Sequence, residues 1–204
     1  MADSAQPTLS AAQALQRLKD GNQRFLNGEA RFPTVQKEVL ADLAKGQQPY
    51  ATVLGCSDSR VPPELLFDAG FGELFVVRVA GNVLGASIRG TLQYAGVHLH
   101  TPLFVILGHE GCGAVEAAIA EQFHGTRHRS RISALLALIR PALEHLDPSL
   151  PPAELLHAAV EANVRSMVRQ AVETPEAHAR RKEGVFQLVG AVYDINTGAV
   201  RFLD

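Results

Sequence analysis

The chain has 204 residues, 47% of them hydrophobic and 20% charged, which is enough apolar material for one packed core. Nineteen Lys and Arg against 21 Asp and Glu leave a formal net charge of -2, so no general electrostatic pull toward nucleic acid or anionic lipid exists. The opening Met1-Ala-Asp3-Ser4 lacks a basic start and apolar stretch, and no apolar run reaches bilayer-spanning length, so the expectation is a soluble cytoplasmic protein.

Ser10 can cap a helix through Leu15, Leu18, Phe25 and Leu26, which Gly21 weakens and Gly28 ends. A second helix is predicted around Val35 to Leu43. Together they read as an N-terminal helical arm over residues 1–46, within a single domain covering residues 1–204. Apolar, β-prone runs at Tyr50–Gly55, Leu74–Val79 and Leu103–Gly108 read as strands, with helices at Pro63–Asp68 and Gly85–His98 between them. That alternation predicts an α/β fold with a mainly parallel sheet flanked by helices. Further helices are predicted from Gly113, over Ile132–His145 and over Glu154–Val172. Val185–Asp194, the Asn196-Thr-Gly198 turn and Ala199–Leu203 read as a C-terminal β-hairpin.

In open parallel sheets ligands gather beyond the carboxyl ends of the strands, where Cys56, the Ala80-Gly81-Asn82 turn and His109 all fall. Cys112 lies at a predicted helix N-terminus, where free N–H groups favour a thiolate. With only these two cysteines, no disulfide framework is possible. Two thiolates and an imidazole suit zinc, and three protein ligands leave a fourth position open for chemistry. The spacing Cys-x52-His-x2-Cys is not that of a structural zinc motif, and two buried structural cysteines beside a loop histidine remain an alternative at this point. Asp58 and Arg60 can form an ion pair that depresses the Asp58 pKa. Such a carboxylate can orient a metal-bound water or close the fourth position itself; alternatively, Asp58 caps the helix near Pro63 and Arg60 is a solvated surface residue. A cysteine-phosphatase loop is excluded, because Pro62 and Ala118 occupy the positions six residues after the cysteines. Gly108-His-Glu-Gly-Cys-Gly113 matches neither a phosphate loop nor a dinucleotide fingerprint.

Cys56-Ser-Asp-Ser-Arg-Val-Pro-Pro-Glu64, Phe75-Val-Val-Arg-Val-Ala-Gly-Asn82 and Gly108-His-Glu-Gly-Cys-Gly-Ala-Val115 resemble the signature segments of β-class carbonic anhydrases, in matching order and spacing. The resemblance implies that Cys56, His109 and Cys112 bind Zn2+ and that Asp58 and Arg60 form the dyad beside the open position, with Asp58 on the metal only in a closed state. It also implies a carbon-dioxide pocket involving Gln47, Phe75, Tyr94 and Gly113, although simple core packing would also account for Phe75 and Tyr94. The implied reaction is reversible hydration of carbon dioxide to bicarbonate and a proton by zinc-bound hydroxide. His98, His100, His124 and His128 are candidate proton shuttles. A homodimer or homotetramer is implied, with the N-terminal helix wrapping the neighbour. Two other readings are hydrolysis of carbon disulfide or carbonyl sulfide, and a non-catalytic zinc-binding regulatory protein.

Overall fold

The computed structural model describes residues 9–31, 37–173, 182, 184 and 186–203. Its strands are β1 (Ala51–Gly55), β2 (Leu74–Arg78), β3 (Leu103–His109), β4 (Gln187–Tyr193) and β5 (Val200–Leu203), in the sheet order β2-β1-β3-β4-β5. The first four run parallel, and β5 returns antiparallel on β4 as the expected hairpin. Every residue of β1 and β3 is buried. A central parallel strand is covered on both faces, which is why these two segments read as unbroken apolar runs rather than alternating ones.

The α-helices are α1 (Ala11–Leu26), α2 (Lys37–Leu43), α3 (Pro63–Leu66), α4 (Ala86–Val97), α5 (Gly113–Phe123), α6 (Ser130–Leu136) and α7 (Pro152–Val172), and a short 3-10 turn spans Ala80–Asn82. Successive strand residues point to opposite faces, so the sheet separates two apolar clusters. Leu54, Val77 and Ile106 pack with Val115, Ile139, Val160, Val164 and Met167. Val53, Val105 and Leu107 pack with Ala14, Leu18, Leu66 and Phe67. Among the described residues no helix is long and apolar enough to cross a membrane.

Two sequence expectations change. The single helix over Ile132–His145 is instead α6 followed by a short 3-10 turn at Arg140–Leu143. Pro141 supplies the reason, because it lacks an amide donor and its ring clashes with the carbonyl four residues earlier. The second helix begins at Lys37, and Val35 and Val185 lie outside the described residues.

Gly21 is the other change. Rather than a weak point of α1, it is the place where that helix touches α3, since a Cβ there would sit 1.9 Å from the Phe67 carbonyl oxygen. Next to it, buried Asn22 donates to the carbonyls of Leu66 (3.1 Å) and Gly198 (3.0 Å) and accepts from the Val200 N–H (3.0 Å). Buried Asp68 accepts from Arg24 Nε at 2.6 Å, and from Arg31 N and Nε at 2.7 and 2.9 Å. The segment following α1 is thereby tied to the end of α3.

Helix propensity alone would make Gly21→Ala stabilising by about 1 kcal/mol. Steric overlap with a backbone carbonyl predicts the opposite, a loss of roughly 1–3 kcal/mol in urea unfolding; an unchanged or raised midpoint would contradict the close contact. Asp68 provides a pH test. Burial pushes its carboxyl pKa up, but Arg24 and Arg31 more than offset this and hold it below the usual carboxylate range. A lowered native pKa means stabilisation that is present above the unfolded value of about 4 and lost as pH falls through the native one. The stability gap between wild type and Asp68→Asn should therefore be full at neutral pH and shrink on acidification below about pH 4.

Candidate metal centre

β1 lies between β2 and β3, so the chain leaves it to one side and returns on the other. This makes the carboxyl ends of β1 and β3 a topological switch point. The register pairs Gly55 with both Arg78 of β2 and Leu107 of β3. Cys56 and His109, just beyond that level, therefore emerge on one rim, and Cys112 joins them as the N-cap residue of α5.

All three side chains are buried, and their ligand atoms lie within 4.8 Å of one another. Tetrahedral zinc with bonds of about 2.0–2.3 Å requires donors separated by roughly 3.5–4 Å, so the cluster has the right dimensions. His109 Nδ1 lies 2.9 Å from the Glu110 carbonyl oxygen. A carbonyl only accepts, so Nδ1 carries the proton and Nε2 presents its lone pair. That Nε2 is buried without a hydrogen-bond partner among the described residues. An orphaned imidazole nitrogen facing two sulfurs is a costly arrangement that a divalent cation would satisfy, so the donor set fits zinc.

The two thiols titrate as a pair. The adjacent Cys112 thiol lowers the Cys56 pKa most strongly; burial opposes this, and the Gly81 N–H adds to the lowering. Interaction with that same Cys56 sulfur, then burial and the Cys56 charge, push the Cys112 pKa up. The two sulfurs therefore ionise as one system, and a dication between them would allow both to do so.

Asp58 does not cap α3, whose N-cap is Pro62 without a side-chain bond. Its carboxylate instead accepts from Arg60 Nε (2.9 Å), Nη2 (2.8 Å) and the Arg60 backbone N–H (3.0 Å). The Arg60 guanidinium holds the Asp58 carboxyl well below the usual range against the opposing effect of burial. Asp58 Oδ2 lies 4.0 Å from His109 Nε2, so the dyad borders the metal cluster.

The proposed pocket residues are distributed differently. Phe75 packs against the apolar cluster containing Cys56 and Cys112, and its ring centroid lies 6.3 Å from that of Tyr94, which is 47% exposed. Gly113 is exposed at the start of α5, and Gln47 is exposed in the loop before β1. Of the candidate shuttles, His98 stacks on Tyr94 at 4.9 Å, and His128 meets Glu121 at 3.2 Å. His100 and His124 are exposed.

Three residues were not assigned a role from sequence. Arg78 donates to the carbonyls of Cys56 (2.9 Å) and Asp58 (2.5 Å), bracing the loop that carries both. Its signal was a lone charge closing an apolar strand. The Gly81 N–H points at Cys56 Sγ at 3.4 Å. His157 of α7 pairs with Glu110 at 2.8 Å, a contact with no local signal in the sequence.

A carbonic anhydrase family model matches residues 51–200. Carbonic anhydrase 2 of Mycobacterium tuberculosis is 40% identical over 137 residues, which cover 67% of this chain and 66% of that protein. Among solved structures, the β-carbonic anhydrase CcaA is 27% identical with a TM-score of 0.77, covering 93% of this chain and 87% of its own. The Coccomyxa β-carbonic anhydrase in complex with acetazolamide is 26% identical with a TM-score of 0.74, covering 93% and 86%.

Replacing one sulfur with a weaker, protonated oxygen tests the cluster directly. Cys56→Ser should lose bound zinc by elemental analysis after dialysis, while wild type retains about one ion per chain, as a single three-donor site implies. Full occupancy in the variant would remove Cys56 from the ligand set.

Proposed function

Since the chain belongs to the β-class carbonic anhydrases, we propose that it is a zinc-dependent lyase that interconverts carbon dioxide and bicarbonate. The observation that carries this reading is the buried Cys56, His109 and Cys112 cluster with an Asp58–Arg60 pair at its edge. Cys56, His109 and Cys112 would hold the metal, which supplies the Lewis acidity that makes a water nucleophilic near neutral pH.

The chain's own residues do the rest. Asp58, fixed by Arg60, stays ionised and offers a carboxylate oxygen that can accept a hydrogen from the nucleophilic water and hold it in line. Arg78 keeps the Cys56–Asp58 loop from shifting. Phe75 and Tyr94, whose rings meet at 6.3 Å, are assigned to an apolar wall for a small uncharged substrate, with Gly113 at the start of α5 and Gln47 in the loop before β1 as further pocket residues. We also assign a homo-oligomer, dimer or tetramer. β2 is a sheet edge, and beside it α4 exposes Tyr94 (47%) and Val97 (46%), apolar surface that a subunit interface would cover.

Stopped-flow hydration of carbon dioxide tests the reading. Zinc-loaded protein should turn over with activity rising across about pH 6.5–9, lose activity on chelation and regain it with zinc. Asp58→Ala should keep its metal and lose at least about tenfold in kcat, as expected for a group that orients rather than binds. Inactivity at every pH despite full zinc loading would shift the assignment to carbon disulfide or carbonyl sulfide hydrolysis, or to a non-catalytic zinc protein.

A further inference from the structure

We propose that Asn163 is a positioning residue for the metal centre: its amide holds the Gly81 peptide so that the Gly81 N–H stays aimed at the Cys56 sulfur. The inference rests on Cys56 being a metal ligand, as proposed above. Asn163 Nδ2 donates to the Gly81 carbonyl at 2.9 Å, and the Gly81 N–H donates to Cys56 Sγ at 3.4 Å. One side chain on α7 is thus connected to the sulfur through a single residue.

That residue is a glycine. Gly81 sits in the left-handed region at φ 67°, and of its two flanking peptide groups the C-terminal one is also held by the Asn82 N–H donating to the Val79 carbonyl at 2.9 Å. The N-terminal one donates to sulfur and the C-terminal one accepts from Asn163. Pinning the second restrains the first.

Asn163 is also a poor choice for packing. It is 1% exposed, on a helix that also buries Leu155, Ala159, Val160, Val164, Ser166 and Met167. Because the Gly81 carbonyl can only accept, the amide nitrogen must face it, which leaves Asn163 Oδ1 buried with no partner among the described residues. A half-satisfied buried amide costs stability, and such costs concentrate at functional sites. An N–H···S bond directs a thiolate and draws off part of its charge, so losing it leaves Cys56 a less directed ligand.

The test uses the full chain, zinc-loaded and cobalt(II)-substituted, as wild type, Asn163→Leu, Asn163→Ala and Val164→Ala. Val164 is fully buried on the same helix and serves as the packing control; Asn163→Ala is included in case leucine cannot be accommodated. Both Asn163 variants should lose about 10–100-fold in zinc affinity, read by chelator competition, and displace the thiolate-to-cobalt charge-transfer band. Val164→Ala should leave both at wild-type values, even where urea unfolding shows an equal or larger loss of stability. Asn163 variants with wild-type affinity and spectrum would overturn the inference, as would a Val164→Ala that changes both to the same degree. If Cys56→Ser binds zinc as tightly as wild type, the ligand assignment falls and this inference falls with it, a failure distinct from unchanged Asn163 variants on an intact Cys56 site.

Discussion

The parallel pairing of β1 with β3 is the constraint on which the site depends. Gly55 opposite Leu107 brings Cys56 and His109, far apart in the chain, to one rim of the sheet. A shift by one residue would turn every side chain of a strand to the opposite face, separating the ligands and exposing the core together. The same burial that secures the register places the donor atoms out of water. The metal site and the hydrophobic core are thus specified by one interaction.

Burial also sets the electrostatics of the rim. Two thiols and an imidazole lie buried in close contact, where unpartnered polar groups are costly and a divalent cation would satisfy them. The Asp58–Arg60 pair follows different rules. Arg60 is 54% exposed, so water screens the pair and it adds little to folding. Its consequence is orientation: three donors from one residue leave the carboxylate few ways to turn.

Support for the rim comes from both faces of the sheet. On one face, α7 packs against β3 and brings Asn163 to Gly81 and His157 to Glu110. On the other, α1 is joined by Asn22 to the end of α3 and to the β4–β5 turn, while Asp68 ties down the chain that follows α1. Neither helix contributes a metal donor among the described residues. Both restrict how far the loops that do can move.

Local chemistry determined what could be read from the sequence alone. Apolar runs specified β1, β2 and β3, Ser10 specified the start of α1, and Cys56, Asp58, Arg60, His109 and Cys112 stood out because thiols, imidazole and an acid–base pair just after strands have few structural uses. Tertiary structure decided what depends on contacts between distant segments. Gly21 has the same helix propensity whether it weakens a helix or admits Phe67, and Asn163 looks like any polar residue until α7 meets the Gly81 turn. Residue type and period are written into the chain, whereas proximity across the sheet exists only once it has folded.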